Sequence, residues 1–199
     1  MSQYHFRADP GASAEAPLFL LFHGTGGDEN QFIPLARQLL PGARLVAPRG
    51  DVSEHGALRY FRRTGEGVYD MADLALRTEA MIGFVREQVG TGRPARVIGL
   101  GYSNGANILA SVQFGAPDLF DATILMHPLI PFAPPRADFS GRRVLITAGR
   151  HDPIAPATAT QDLADYFAAN NAVTELAWHE GGHEVCDVEI AAIQAFLAA

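Results

Sequence analysis

The chain predicts an α/β architecture: a mainly parallel central sheet with helices on both faces and no inserted cap domain. Three observations carry this. Short apolar runs alternate with longer amphipathic ones along the 199 residues, the order expected of repeated strand–helix units. Most of the short runs are continuously apolar rather than alternating, as strands covered on both faces must be. The third is Gly101-Tyr102-Ser103-Asn104-Gly105, a serine flanked by glycines where an apolar run gives way to a helix-like one.

Taken in order, residues 4–8 suggest an edge strand, and the apolar run 18–23 is the first core strand. Residues 29–40 have helical spacing, and 43–47 form the next apolar strand. Residues 48–69 show no period. That stretch is too short for a domain and long enough for a loop that walls a site. A long helix is predicted over 71–89, then a strand over 96–101 that runs through the serine turn into a helix over 104–114. Strands over 122–126, 144–148 and 173–178 follow, the last two separated by a helix over 156–170, and a final helix covers 184–197. Four prolines in 128–135 mark an extended surface connection. Without repeats or low-complexity linkers, residues 1–199 are expected to form one domain.

Fifteen basic side chains against 22 acidic ones give a net charge of −7. A sequence-independent grip on nucleic acid or an anionic membrane needs a basic face, so neither partner is expected. Cys186 is the sole cysteine, which excludes an intrachain disulfide. The first residues lack a basic start followed by an apolar stretch, and no apolar run approaches the ~20 residues that cross a bilayer. A soluble cytoplasmic protein without stable membrane insertion is therefore expected. An edge strand or exposed apolar face leaves a homodimer open.

A serine hydroxyl attacks poorly until a base takes its proton, and that base needs an orienting carboxylate. The Gly-x-Ser-x-Gly turn between strand and helix has the form of the nucleophile elbow of an α/β-hydrolase, in which the partners follow in the order serine, acid, histidine. That order leaves His179 and His183. His183 is preferred because it follows Gly181-Gly182 in the loop ahead of the last helix. Asp152 is the one carboxylate in the loop 149–156, after a predicted strand, and is the expected acid. A turn or helix cap is its competing role. The oxyanion of a tetrahedral intermediate needs two donors. The backbone N–H groups of Asn104 and of Thr25, in the glycine-rich loop 23–28, are expected to supply them. That loop lacks the lysine of a phosphate-binding P-loop. No metal or cofactor is implied, and the expected partner is a small-molecule ester.

These residues make the chain resemble the phospholipase/carboxylesterase family of small α/β-hydrolases. The matching segments are Leu21-Phe22-His23-Gly24-Thr25-Gly26-Gly27-Asp28, the serine turn, residues 149–156 and Gly181-Gly182-His183. Residues 48–51, Arg59-Tyr60-Phe61-Arg62-Arg63 and residues 126–131 resemble bacterial hydrolases associated with hydroquinone stress and aromatic catabolism. Acyl-protein thioesterases carry Gln after the serine, where this chain has Asn104. Dienelactone hydrolases carry cysteine at the elbow, where it has Ser103. The resemblance implies a serine carboxylesterase acting on small carboxylic esters, with thioesters included. A slow ligand-binding protein on the same fold and an acyltransferase are the rival readings.

Around the triad, Phe61, Arg62, His127 and Ile154 are the candidates for substrate contact. Arg59, Arg62 and Arg63 would either hold an anionic group or form a solvated or paired cluster. Tyr60 and Phe61 would line an acyl or aromatic pocket or pack the 48–69 loop. His127 would touch substrate or serve as a satisfied structural histidine.

Overall fold

A computed structural model describes residues 4–13, 15–90 and 94–199. Its seven-stranded sheet has the order β1-β3-β2-β8-β9-β10-β11. The strands are β1 (Phe6–Asp9), β2 (Leu18–Phe22), β3 (Arg44–Pro48), β8 (Val97–Tyr102), β9 (Ala122–Met126), β10 (Arg143–Gly149) and β11 (Val173–His179). Only β1 runs antiparallel to its neighbour, pairing Phe6 with Pro48 and Asp9 with Leu45 at the sheet edge. The remaining pairings are parallel.

Because successive side chains of a strand face opposite ways, each apolar run feeds two cores. Leu18, Leu20 and Phe22 pack with α2 (Met71–Val89), α3 (Asn104–Gly115) and α4 (Ala157–Ala169) on one face. Phe19 and Leu21 pack with α1 (Ile33–Leu39) and α5 (Asp187–Ala198) on the other. This double burial explains the continuous apolar runs and matches the architecture expected from sequence.

After β2 the chain builds β3 on one side, then returns to place β8 on the other. At such a reversal the loops leaving two adjacent parallel strands diverge and open a crevice beyond their carboxyl ends. The loop 23–28 follows β2, and Ser103 follows β8. The chain reversal thus sets the candidate oxyanion loop beside the candidate nucleophile.

Three boundaries depart from the sequence expectations. Residues 52–69 carry two small hairpins, β4 (Val52–Glu54) with β5 (Ala57–Arg59) and β6 (Arg63–Gly65) with β7 (Val68–Tyr69). Strands of two or three residues are too short to display a period. The first helix starts at Ile33 rather than 29, because residues 28–31 form a turn closed by Gln31 N–H to Asp28 O and Asn30 N–H to the Asp28 carboxylate. The last starts at Asp187 rather than 184, because the Glu184 carboxylate folds back to accept the Gly182 N–H at 3.0 Å.

Candidate active site

Ser103, between the end of β8 and the start of α3, has φ 51° and ψ −118°. A side-chain-bearing residue occupies that region only when its surroundings impose it. Here both glycines of the motif make the turn sterically feasible. A Cβ on Gly105 would lie 2.3 Å from Phe22 O and 2.4 Å from His23 O, and one on Gly101 would lie 2.5 Å from Gly105 O. The start of α3 therefore sits directly against the end of β2. The Ser103 N–H is held by Met126 O at 2.9 Å.

The structure brings Ser103, Asp152 and His183 into one chain of hydrogen bonds. His183 Nε2 lies 2.9 Å from Ser103 Oγ, and its Nδ1 lies 2.6 Å from Asp152 Oδ2. The loops that carry the acid and the histidine interlock. A Cβ on Gly149 would fall 2.1 Å from Gly182 O, and the His151 N–H donates to Gly181 O at 3.0 Å. Tyr102 donates its hydroxyl to His183 O at 2.6 Å and fixes the histidine backbone from the elbow side.

Asp152 is 6% exposed, and its other oxygen accepts the N–H groups of Ile154 at 2.8 Å and Ala155 at 3.0 Å. Burial pushes its carboxyl up. The Ala155 amide, His183, His127 and the Ile154 amide outweigh that effect and hold it below the usual carboxylate range. It is therefore ionised at neutral pH.

A cavity of about 300 Å³ opens over Ser103 and His183. Thr25 and Asn104 both line it. Asn104 opens α3, where first-turn amides have no intrahelical acceptor. The Asn104 side chain turns away, its Oδ1 accepting the Tyr60 N–H at 2.8 Å. Ile154 also lines the cavity.

Three substrate-contact expectations fare differently. Phe61 is fully buried in the core, edge-on to Tyr69 at 4.8 Å, so it packs the loop rather than lining the cavity. Arg62 lies outside the cavity and lines a separate depression with Val52 and His55, its backbone N–H held by the Asp73 carboxylate at 2.7 Å. His127 borders the cavity but is fully buried beneath the triad, with Nδ1 2.9 Å from Asp152 Oδ2 and Nε2 3.1 Å from Glu189 Oε1, so its ring nitrogens face carboxylates. Arg59 is 4% exposed and donates to Thr25 Oγ1 at 2.7 Å, clamping the second hairpin strand to the candidate oxyanion loop.

Sequence reasoning missed Tyr69, Asn107 and Leu129 in the cavity wall. Asn107 accepts the Leu129 N–H at 2.7 Å and donates to Tyr69 Oη at 2.8 Å, tying three segments together. An asparagine about one turn after the serine, in the helix predicted over 104–114, was the available signal. Glu189, 1% exposed in the final helix, was missed too. Its Oε1 lies 3.1 Å from His127 Nε2 and accepts Thr147 Oγ1–H at 2.5 Å. The donor atoms of His127, Asp152 and His183, and those of His127, His179 and Glu189, lie close enough to face a single ion. Asp152 and His183 are hydrogen-bonded to each other and His183 to Ser103, whereas Nε2 of His127 and of His179 face Glu189 without hydrogen-bond alignment.

A doubly covered, mostly parallel sheet with a serine at a strained strand-to-helix turn defines an α/β-hydrolase, and the chain is a hydrolase. It belongs to the dienelactone hydrolase family, whose model matches residues 59–184, a span that includes Ser103, Asp152 and His183. MhqD of Bacillus subtilis (strain 168), named as a hydrolase, is 39% identical over 175 residues, covering 86% of this chain and 88% of that protein. Atu2452 from Agrobacterium tumefaciens str. C58, a protein of unknown function, is 53% identical with a TM-score of 0.93, covering 98% and 96% of the two chains. A Bacillus cereus carboxylesterase is 32% identical with the same TM-score of 0.93, covering 98% of this chain and 94% of its own. The resemblance drawn from the motifs thus leads to carboxylesterases of the same small α/β-hydrolase type. Among the described residues, no helix is long and apolar enough to cross a membrane.

Proposed function

We propose that the protein is a serine carboxylesterase that hydrolyses small carboxylic esters, thioesters included, through an acyl-enzyme. Ser103 Oγ attacks the carbonyl carbon while His183 Nε2 takes its proton. The N–H groups of Thr25 and Asn104 bind the oxyanion. His183 then protonates the departing alcohol or thiol, the tetrahedral intermediate collapses, and Ser103 is left acylated. Water attacks the acyl-enzyme with His183 again as base, releasing the acid and restoring the serine. Asp152 holds the imidazole with its Nε2 lone pair toward Ser103 and stabilises the imidazolium that forms.

The observation that carries this reading is the pair of contacts His183 makes, 2.9 Å to Ser103 Oγ and 2.6 Å to Asp152 Oδ2. Both fall within the reach required for proton transfer and for orientation of the base. The cavity of about 300 Å³ favours compact substrates. Polar groups of Asn107 and Arg59 beside Leu129 and Ile154 favour esters of mixed polarity over long acyl chains. Ser103→Ala is expected to reduce hydrolysis of a short p-nitrophenyl ester to background with an unchanged melting temperature. Undiminished turnover by the purified variant would refute the assignment.

A further inference from the structure

Beneath the triad lies a buried array of charge that a serine, a base and an acid do not require. His127 has φ 50°, a left-handed conformation rare for a side-chain-bearing residue. Its N–H is fixed by Thr147 O at 2.8 Å. Its fully buried ring stands between two carboxylates, with Nδ1 2.9 Å from Asp152 Oδ2 and Nε2 3.1 Å from Glu189 Oε1. The Nδ1 contact is a hydrogen bond, whereas the Nε2 contact is a close ion pair without hydrogen-bond alignment.

Glu189 is itself fully engaged. Oε1 accepts from Thr147 and Oε2 accepts the Cys186 N–H at 2.9 Å. His179 Nδ1 accepts the Gly181 N–H at 3.0 Å, so its own proton sits on Nε2, which lies 3.6 Å from Glu189 Oε2. A carboxylate surrounded by donors is ionised, and an imidazole between two ionised carboxylates takes a proton on each nitrogen.

Building on the esterase reading above, we propose that His127 and Glu189 are positioning residues of the hydrolytic reaction. His127, as a buried imidazolium, orients Asp152 and tempers the negative charge that Asp152 presents to His183. The charge count explains why both are needed. His127 alone would cancel the charge of Asp152 and leave nothing to stabilise a protonated His183. Glu189 supplies the second negative charge, so the array keeps one net negative charge at rest and becomes neutral when His183 takes the serine proton. The direction of each titration agrees. Burial lowers His127, but its contacts with Glu189 and Asp152 raise it above an ordinary histidine, while Glu189 is held below the usual carboxylate range.

The groups around the His127 ring come from every neighbouring element. They are Asp152 after β10, His179 at the end of β11 (ring centroids 5.4 Å apart), His183 before α5 (5.1 Å), Glu189 on α5 and Tyr102 at the end of β8 (5.8 Å). Glu184 adds a more distant negative charge.

The test is ¹⁵N NMR of the histidine rings together with the pH profile of kcat/KM. In the wild-type protein at pH 7, His127 is expected to carry protons on both nitrogens. His127→Gln removes the cation, so the His183 titration and the acidic limb of kcat/KM should both move up by about 1–2 pH units. His127→Gln/Glu189→Gln restores one net negative charge and should bring the limb back down. A merely structural role would make the double variant no better than the single one. If His127→Gln does not fold, Glu189→Gln alone should move the limb to lower pH. A singly protonated His127 ring, an unmoved His183 titration, or a double variant that matches the single one would overturn the proposal. The NMR readouts do not depend on turnover, so they separate this proposal from a failure of the esterase reading, which Ser103→Ala decides.

Discussion

One substitution made at two glycines separates the steric demand of the elbow from ordinary helix propensity. At Gly83, exposed in α2, an added Cβ meets nothing within 4 Å. Alanine there should recover the ~0.5–1 kcal/mol by which glycine weakens a helix interior. At Gly105, in the first turn of α3, the same Cβ would lie 2.3 Å from Phe22 O, 2.4 Å from His23 O and 2.6 Å from Phe22 C. All three are backbone atoms of the β2 end, with no flexible side chain to swing aside. The helix start must therefore retreat by roughly 1 Å to restore normal contact at about 3.5 Å. Overpacking of this kind costs ~1–3 kcal/mol. For a chain of this size each kcal/mol moves Tm by about 2–4 °C. Gly105→Ala should thus lower Tm by roughly 2–12 °C, while Gly83→Ala raises it by about 1–4 °C. The retreat also carries Ser103 away from His183, and a misplacement of ~1 Å costs about 100-fold in rate. Calorimetry and kcat/KM on a p-nitrophenyl ester read both effects. A Gly105→Ala protein with wild-type Tm and activity would refute the claim that the elbow is held by this close approach.

Two further perturbations test the supports of the site. Tyr60 is fully buried, and its hydroxyl accepts the His23 N–H at 3.1 Å and donates to Pro48 O at 2.8 Å, joining the ends of β2 and β3. Tyr60→Phe leaves both backbone groups unpaired and should cost ~1–3 kcal/mol, measured as a lower denaturant midpoint at constant m-value. Glu29 is bound by Arg49 through two 2.5 Å contacts, which hold its carboxyl at about 2 against an ordinary 4.5. A carboxylate depressed on folding contributes stability that is complete above its unfolded value and is lost as pH falls from 4.5 toward 2. Arg49→Met should therefore flatten the loss of Tm across that window and lower Tm at pH 7. An identical pH–Tm curve for wild type and variant would contradict the pairing.

The regular elements were legible because burial on both faces writes itself into continuous apolar runs such as 18–22, and because helix α2 keeps its spacing over nineteen residues. Ser103, Asp152 and His183 were selected by chain order and by their places at the carboxyl ends of strands, and these are the residues that meet. What escaped notice has a common physical cause. The hairpins of 52–69 are held by Arg59, Arg63 and Glu54 rather than by a hydrophobic period, so no pattern announced them. Phe61 and Arg62 are adjacent in the connection between β5 and β6, outside any strand, so no alternation in sequence indicates which of the two faces inward. Glu189 looked like one more acidic residue in the first turn of a helix. Only its burial against His127 and Thr147 reveals it, and burial of an isolated polar side chain leaves no mark in sequence.

The most direct measurement of the account is active-site labelling. A fluorophosphonate reacts with a serine whose proton a neighbouring base can remove. Wild-type protein should therefore gain one adduct, located by mass spectrometry on Ser103, with simultaneous loss of ester hydrolysis. His183→Ala should label far more slowly. An adduct on another residue, or hydrolysis that persists after Ser103 is fully modified, would contradict the central claim.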